Sequence, residues 1–264
     1  MLQQTQVRRV IPRYEAFLDR YPTPEACAGA EVADVVLDWA GLGYNRRAVS
    51  LRRAATQVVR DHGGVVPDTL DALLALPGIG PYTARAVLAF AFERDVGVVD
   101  TNAARVLARV AGRSLGRGEV QQLADRSVPE GEGWRWNQAV LDLGATVCVS
   151  RRPRCDACPV RRACAWHAAG CPQPDPARGS AGVSGPQSRF EGSDRQGRGR
   201  LVDALRRHGS VPASKVAAIA GWPEDPDRAA RVVASLVRDG LTAVGPDGQL
   251  VLPREPSERS GVRT

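Results

Sequence analysis

Lysine is all but missing from this chain. Of its 36 lysine and arginine residues among 264, Lys215 is the only lysine. Schiff-base chemistry through a side-chain amine therefore has nothing to work with elsewhere. A coding bias toward G and C explains the imbalance without any functional cause. Aromatic residues are scarce too, at 5%. No apolar run reaches the roughly 18 residues that would suggest a membrane-spanning helix. No targeting segment precedes the first helical pattern, so a cytoplasmic protein is expected. Six cysteines in that compartment argue against a disulfide framework. Strand alternation with hairpin turns is absent from the first 170 residues.

What is present is helix after helix. Hydrophobic residues make up 43% of the chain, ample for a core, and the net charge of +7 suits a polyanionic partner such as nucleic acid. Leu2, Val7, Val10, Ile11, Tyr14, Phe17 and Leu18 fall three or four apart, which predicts a helix under way almost from the first residue, with no capping side chain before it. Further helices are predicted over Ala33–Gly41, Arg46–His62, Thr69–Leu76, Tyr82–Phe92, Asn102–Ala111, Glu119–Arg126 and Trp134–Val147, with Gly and Pro between them. Residues 172–200 are rich in Pro, Gly, Ser and Arg and read as a flexible basic linker. Three short helices then precede "LTAVGPDGQLVLP", a predicted hairpin, so that 201–253 looks like a winged helix. Residues 254–264 read as a disordered tail. The expected class is all-α.

Three motifs carry chemistry. "CVSRRPRCDACPVRRAC" spaces Cys148, Cys155, Cys158 and Cys164 as C-x6-C-x2-C-x5-C. Four thiolates in a short loop suit an iron–sulfur cubane, and a four-cysteine zinc site is the alternative. Cys27 and Cys171 fall outside the spacing, one as a small core residue, the other as a stray in the linker. "LPGIG" places Gly78 and Gly80 in a tight turn before a helix whose unpaired N–H groups would seat a phosphate; an ordinary helix–helix turn is the plainer reading. In "VVDTNAARVLAR", Asp100 stands before a helix. It is either an N-cap or a carboxylate held to stabilise a developing positive charge.

In combination these motifs resemble the helix-hairpin-helix DNA glycosylases of the endonuclease III superfamily. Within it, "MLQQTQVRRVIPRYEAFLDRYPTP", "GLGYNRRA" and "WNQAVLDLGATVC" are similar to the A/G-specific adenine glycosylases, over residues 1 to about 170. The resemblance implies an enzyme of base-excision repair. It would flip an adenine mispaired with 8-oxoguanine or guanine out of double-stranded DNA and hydrolyse its glycosidic bond. It implies a helix-hairpin-helix domain over 1–107 and a 4Fe–4S domain over 108–171, the ligands being Cys148, Cys155, Cys158 and Cys164. Asp100 would stabilise the sugar cation beside Tyr82 and Asn102, and Gln138 would contact the adenine. Gln4, Thr5 and Tyr44 would face or wedge into the duplex, and Gly78 and Gly80 would hold a phosphate. Tyr82 stands where lyases of the superfamily carry a lysine, so a monofunctional glycosylase is expected. A monomer associated with the nucleoid is expected.

The pattern departs from the family in two places. The family's general acid is a glutamate two residues before the Met of "MLQQT", and this chain is numbered from that Met. Its first acidic residue, Glu15, lies about four helical turns further on. The expectation is a misassigned start, with the chain as given inactive. The family's β-rich domain that checks for 8-oxoguanine is replaced by the winged-helix-like segment, expected to serve interaction or packing rather than DNA binding through Arg228, Arg231 and Arg238. The rival readings are a thymine glycosylase acting on G:T mispairs, a catalytically silent iron–sulfur protein that binds DNA, and a zinc-bearing winged-helix regulator.

Overall fold

The structure is a computed structural model that describes residues 1–2, 5–183 and 189–254. The chain folds as two units. One comprises Met1–Pro67, Leu76–Gly78 and Ser188–Thr264, and the other Asp68–Ala75 and Ile79–Gln187. This division differs from the expected boundaries, because the first unit joins the two ends of the chain.

The N-terminal part of the first unit contains α1 (Val7–Arg20), α2 (Pro24–Ala28), α3 (Val32–Asp38) and α4 (Arg46–His62). Proline opens α2 where its missing N–H costs nothing, and the Thr23 side chain caps the turn by accepting from Ala26 N. Gly63 closes α4 in the left-handed region, φ 59°. The first helix starts at Val7, not near Leu2 as expected. The residues before it are drawn to a loop instead: Thr5 Oγ1 donates to Leu42 O at 3.0 Å and Arg47 Nη1 donates to Met1 O at 3.0 Å. Of the predicted apolar face only Val10 and Phe17 are buried, while Val7, Ile11, Tyr14 and Leu18 are exposed.

The C-terminal part of this unit contains α11 (Asp194–His208), β1 (Ser210–Val211), α12 (Val216–Ala220), α13 (Pro226–Arg238), β2 (Ala243–Val244) and β3 (Leu250–Val251). The strands pair antiparallel in the order β1-β3-β2, Val211 opposite Leu250 and Ala243 opposite Val251. Three helices and a small sheet match the expected pattern. The separation of this segment does not hold. Leu201, Val202, Leu236 and Leu241 share one buried core with Phe17, Tyr21, Val35, Val36 and Trp39. Arg206 donates to Val36 O from both Nε (3.1 Å) and Nη2 (2.8 Å), and to Asn45 Oδ1 at 2.9 Å. Ala33 N–H donates to Pro253 O at 3.1 Å.

The second unit contains α5 (Leu70–Ala75), α6 (Pro81–Ala91), α7 (Thr101–Ala111), α8 (Arg117–Ser127), α9 (Gly133–Thr146) and α10 (Ala165–Ala168). Ala104, Leu107, Ala108, Leu115, Val120 and Ala124 form a core on which Ala181 and Val183 also pack. The expected linker is therefore folded over much of its length. Leu115 N–H donates to the buried Ser180 Oγ at 3.0 Å, and Ala181 N–H returns a bond to Leu115 O at 2.9 Å. Further on, α11 begins at Asp194, capped by Ser193, rather than at Leu201. Polar composition suggested a tether, but these polar side chains close local turns. Residues 184–188 of that stretch and 255–264 of the expected tail lie outside the described residues. No described helix is long and apolar enough to cross a membrane.

The shared core makes a specific prediction. Leu236→Ala should cost about 2–5 kcal/mol and should speed amide exchange across α3 as well as α13. Hydrogen exchange read by mass spectrometry checks this; unchanged exchange at residues 32–38 would mean the C-terminal segment folds on its own.

Candidate functional site

The second unit assembles Asp100 from several directions. Asn137 is buried on α9. Its Oδ1 accepts from Val98 N at 2.7 Å, while its Nδ2 donates to Val96 O at 2.8 Å and Gly133 O at 2.7 Å. One side chain thus fixes the extended segment that delivers Asp100 to the start of α7. Asp100 is the N-cap: its Oδ1 accepts from Asn102 N at 2.8 Å and Ala103 N at 2.7 Å. Its Oδ2 accepts from Asn102 Nδ2 at 3.1 Å.

Asn102 is itself oriented from below. Arg105 Nη2 donates to Asn102 Oδ1 at 2.8 Å and to Gly144 O at 2.5 Å, and Arg105 Nε donates to Cys148 O at 2.7 Å. With its oxygen taken, the Asn102 amide turns its nitrogen to Asp100. Gly144 permits this close packing, since a Cβ there would lie 2.7 Å from Asn102 Cβ and 2.9 Å from Asn102 C and O. Tyr82, near the start of α6, is half-exposed. Burial, and then the charge of Asp100, push its phenol pKa up. Gln138 lies on α9 with its Nε2 donating to Asp142 Oδ1 at 3.0 Å. Of the turn glycines, Gly78 has φ 79° and needs the left-handed conformation. Gly80 has φ −100° and serves as N-cap of α6, where an added Cβ would meet nothing within 4 Å.

Of the expected site residues, Thr5, Tyr44 and Gly78 belong to the first unit. Tyr44 is exposed with φ 46°, and the Arg47 guanidinium lies 5.7 Å from its ring centre. Thr5 uses its hydroxyl within the loop contact described above. Gln4 lies outside the described residues.

The four spaced cysteines of the second unit line one pocket, with Arg109, Trp166 and His167 among its other walls. Arg109 is buried to 1% exposure on α7, one turn beyond Arg105. It donates to Cys148 Sγ at 3.3 Å, Val149 O at 2.8 Å and Ser150 O at 3.2 Å. It pairs with Asp175 at 2.6 Å and lies 4.9 Å over the Trp166 ring. Burial would raise the Asp175 pKa, but Arg109 and the Ala177 N–H outweigh it and hold that carboxyl below its ordinary value. Cys164 Sγ donates to Arg109 O at 3.3 Å. Burial pushes the Cys148 thiol up, opposed by Arg109 and Arg105. Among the described residues no three His, Cys, Asp or Glu side chains converge to hold a single ion; the sulfurs surround a space.

Sequence reasoning missed Asn137, Arg105, Arg109 and Asp175. Asn137 stood in plain view in "WNQA", beside the glutamine that drew the attention. The two arginines sit four apart within "AARVLARVAG", among otherwise apolar residues, and that was the available signal.

Two substitutions test this framework. Asn137→Ala strands buried donors and acceptors, and should lower stability by about 2–4 kcal/mol. Asp175→Asn should flatten the acid limb of the stability curve. The depressed carboxyl contributes stability above its unfolded pKa of about 3.9, and that contribution is lost as pH falls through the lower folded value. Denaturant titrations between pH 3 and 7 measure both effects.

Residues 1–130 match the family described as HhH-GPD superfamily base excision DNA repair protein. The adenine DNA glycosylase of Mycobacterium tuberculosis (strain CDC 1551 / Oshkosh) is 42% identical over 97% of this chain and 83% of its own length. That of Mycolicibacterium smegmatis is 40% identical over 97% and 85%. Among solved structures, a thermostable thymine-DNA glycosylase superposes with a TM-score of 0.57 at 30% identity, over 64% of this chain and 80% of that one. The chain belongs to the adenine DNA glycosylases of the HhH-GPD base-excision repair superfamily, hydrolases that cleave the N-glycosidic bond of adenine in DNA.

Proposed function

We propose that this protein removes adenine mispaired with 8-oxoguanine or guanine, with Asp100 as the group that stabilises the sugar cation. The observation that carries this reading is the state of Asp100. An N-cap needs one carboxylate oxygen; here the second oxygen is also addressed, by an Asn102 amide whose orientation Arg105 dictates. A carboxylate fixed in this way meets positive charge developing at the sugar without reorganising. Departure of a neutral purine also requires a proton on a ring nitrogen, and Asp100 serves the other half of that reaction. Tyr82, its phenol held protonated at neutral pH, offers a neutral hydroxyl beside the carboxylate and no amine nucleophile. The glycosylase is accordingly monofunctional: water adds to the sugar cation as the base leaves, and the resulting abasic site passes to later enzymes. Gln138 contacts the extruded adenine, Gln4, Thr5 and Tyr44 face the duplex, and the turn bearing Gly78 and Gly80 seats a phosphate.

Cys148, Cys155, Cys158 and Cys164 hold a 4Fe–4S cluster in this reading. Four thiols around one pocket suit a cubane better than a single zinc ion, whose ligands lie about 2.3 Å from one point. When bound, the cluster ties the loop 148–164 together and supplies a one-electron couple. The loop carbonyls and Cys148 Sγ are the groups to which Arg105 and Arg109 donate.

Duplexes bearing A:8-oxoguanine, A:G and G:T, incubated with iron-loaded protein that includes the family's general-acid glutamate, test the assignment. Adenine release from the first two, with strand scission only after alkali, is expected. Asp100→Asn should slow excision by about 10²–10³-fold while mismatch binding persists. Thymine release from G:T would sink the adenine reading. Mismatch binding with no base release would favour the silent DNA-binding alternative.

A further inference from the structure

Val96, Gly97 and Val98 lead toward Asp100 but lie outside the helices and strands. Side chains hold them in place instead. Val96 O and Val98 N–H meet Asn137 on α9. The polar groups of Gly97, between them, meet α8. Gly97 N–H donates to Asp125 Oδ1 at 2.9 Å, and Gly97 O accepts from Gln121 Nε2 at 2.9 Å. Gln121 Nε2 also donates to Asp125 Oδ1 at 3.1 Å. This approach requires glycine: a Cβ at residue 97 would lie 2.6 Å from Ala124 C and Cβ and 2.7 Å from Asp125 N. The same Asp125 Oδ1 accepts from Arg85 Nη1 at 2.6 Å. Arg85 lies on α6, three residues after Tyr82, and its side chain is only 16% exposed.

We infer that Asp125 is a positioning residue for adenine excision: one oxygen joins the helix that carries Tyr82 to the segment that ends in Asp100. The inference rests on the role given to Asp100 above. Arg85, Gly97 and Gln121 converge on a single acceptor, and the ionic bond to Arg85 is the strong member of the set. Asn137 ties the segment to α9; Asp125 supplies the tie to α6. Asp125 acts through Gly97 and Arg85, not on the sugar itself. A carboxylate that meets charge developing only in the transition state affects rate more than binding when it is displaced.

The test uses the iron-loaded protein of the duplex assay, at a temperature where circular dichroism shows every variant folded. Under those conditions a loss of stability alone leaves the rate unchanged. Asp125→Ala should slow single-turnover adenine release from A:8-oxoguanine by about 10–100-fold at saturating enzyme, with mismatch affinity unchanged. Asp125→Asn keeps an oxygen for Gly97 and Gln121 and should lose less. Arg85→Met breaks only the arm to α6 and should also slow release. Combined with Asp125→Ala, it should add no further loss. Amide exchange should quicken at residues 81–86 and 97–100 together in Asp125→Ala. If Asp125→Ala does not fold, Asp125→Asn and Arg85→Met carry the test. Release at the wild-type rate in the Asp125 and Arg85 variants, with Asp100→Asn slow, would overturn the inference and leave the site intact. So would additive losses from Arg85→Met and Asp125→Ala, or equal losses in release and affinity. An Asp100→Asn variant that releases adenine at the wild-type rate would instead overturn the site reading.

Discussion

Two guanidinium groups buried in one helix govern most of what surrounds the site. Arg105 and Arg109 lie inside α7, whose residues Ala103–Arg109 are all buried. A buried cation with unmatched donors is costly, so the neighbouring backbone is arranged to receive them. The carbonyls of Gly144, Cys148, Val149 and Ser150 all turn toward this helix. At one end the same helix is capped by Asp100; along its flank it anchors the cysteine loop. Asp100 and the cysteine loop are thereby placed by a single rigid element. Arginine suits this role better than lysine would, because its planar fork satisfies several acceptors at fixed angles.

Much of this was legible in the sequence, and for identifiable reasons. Helices such as Arg46–His62 announced themselves through local periodicity and punctuation, which are short-range signals. Asp100 and the cysteines were legible because their spacing is itself the signature. Asn137, Gly144 and Asp175 were not, because each acts through contacts 39 to 66 residues away. Nothing adjacent to Gly144 reveals that Asn102 will press against it. The N-terminal stretch misled in the other direction: its apolar spacing implied helix from Leu2, but tertiary bonds from Thr5 and Arg47 took precedence over local pattern.

Composition misled most between residues 172 and 200. Pro, Gly, Ser and Arg usually mark a chain that cannot order itself. Here Asp175 is paired with a buried arginine, and Ser180 closes a backbone bond to Leu115. A few polar residues with dedicated partners therefore order a stretch that its average composition describes as loose. The same holds for the C-terminal helices, whose apolar faces complete a core begun by α1 and α3.

That shared core has a consequence for how the protein is made. The second unit is encoded by one nearly continuous stretch, so it can close as soon as it leaves the ribosome. The first unit cannot. Val35, Val36 and Trp39 emerge early but wait for Leu236 and Leu241, some two hundred residues later. At the usual pace of about 5–20 residues per second, their apolar surface stays uncovered for ten seconds or more. The unit translated first is the last to finish folding, and its early helices depend on whatever shields them meanwhile.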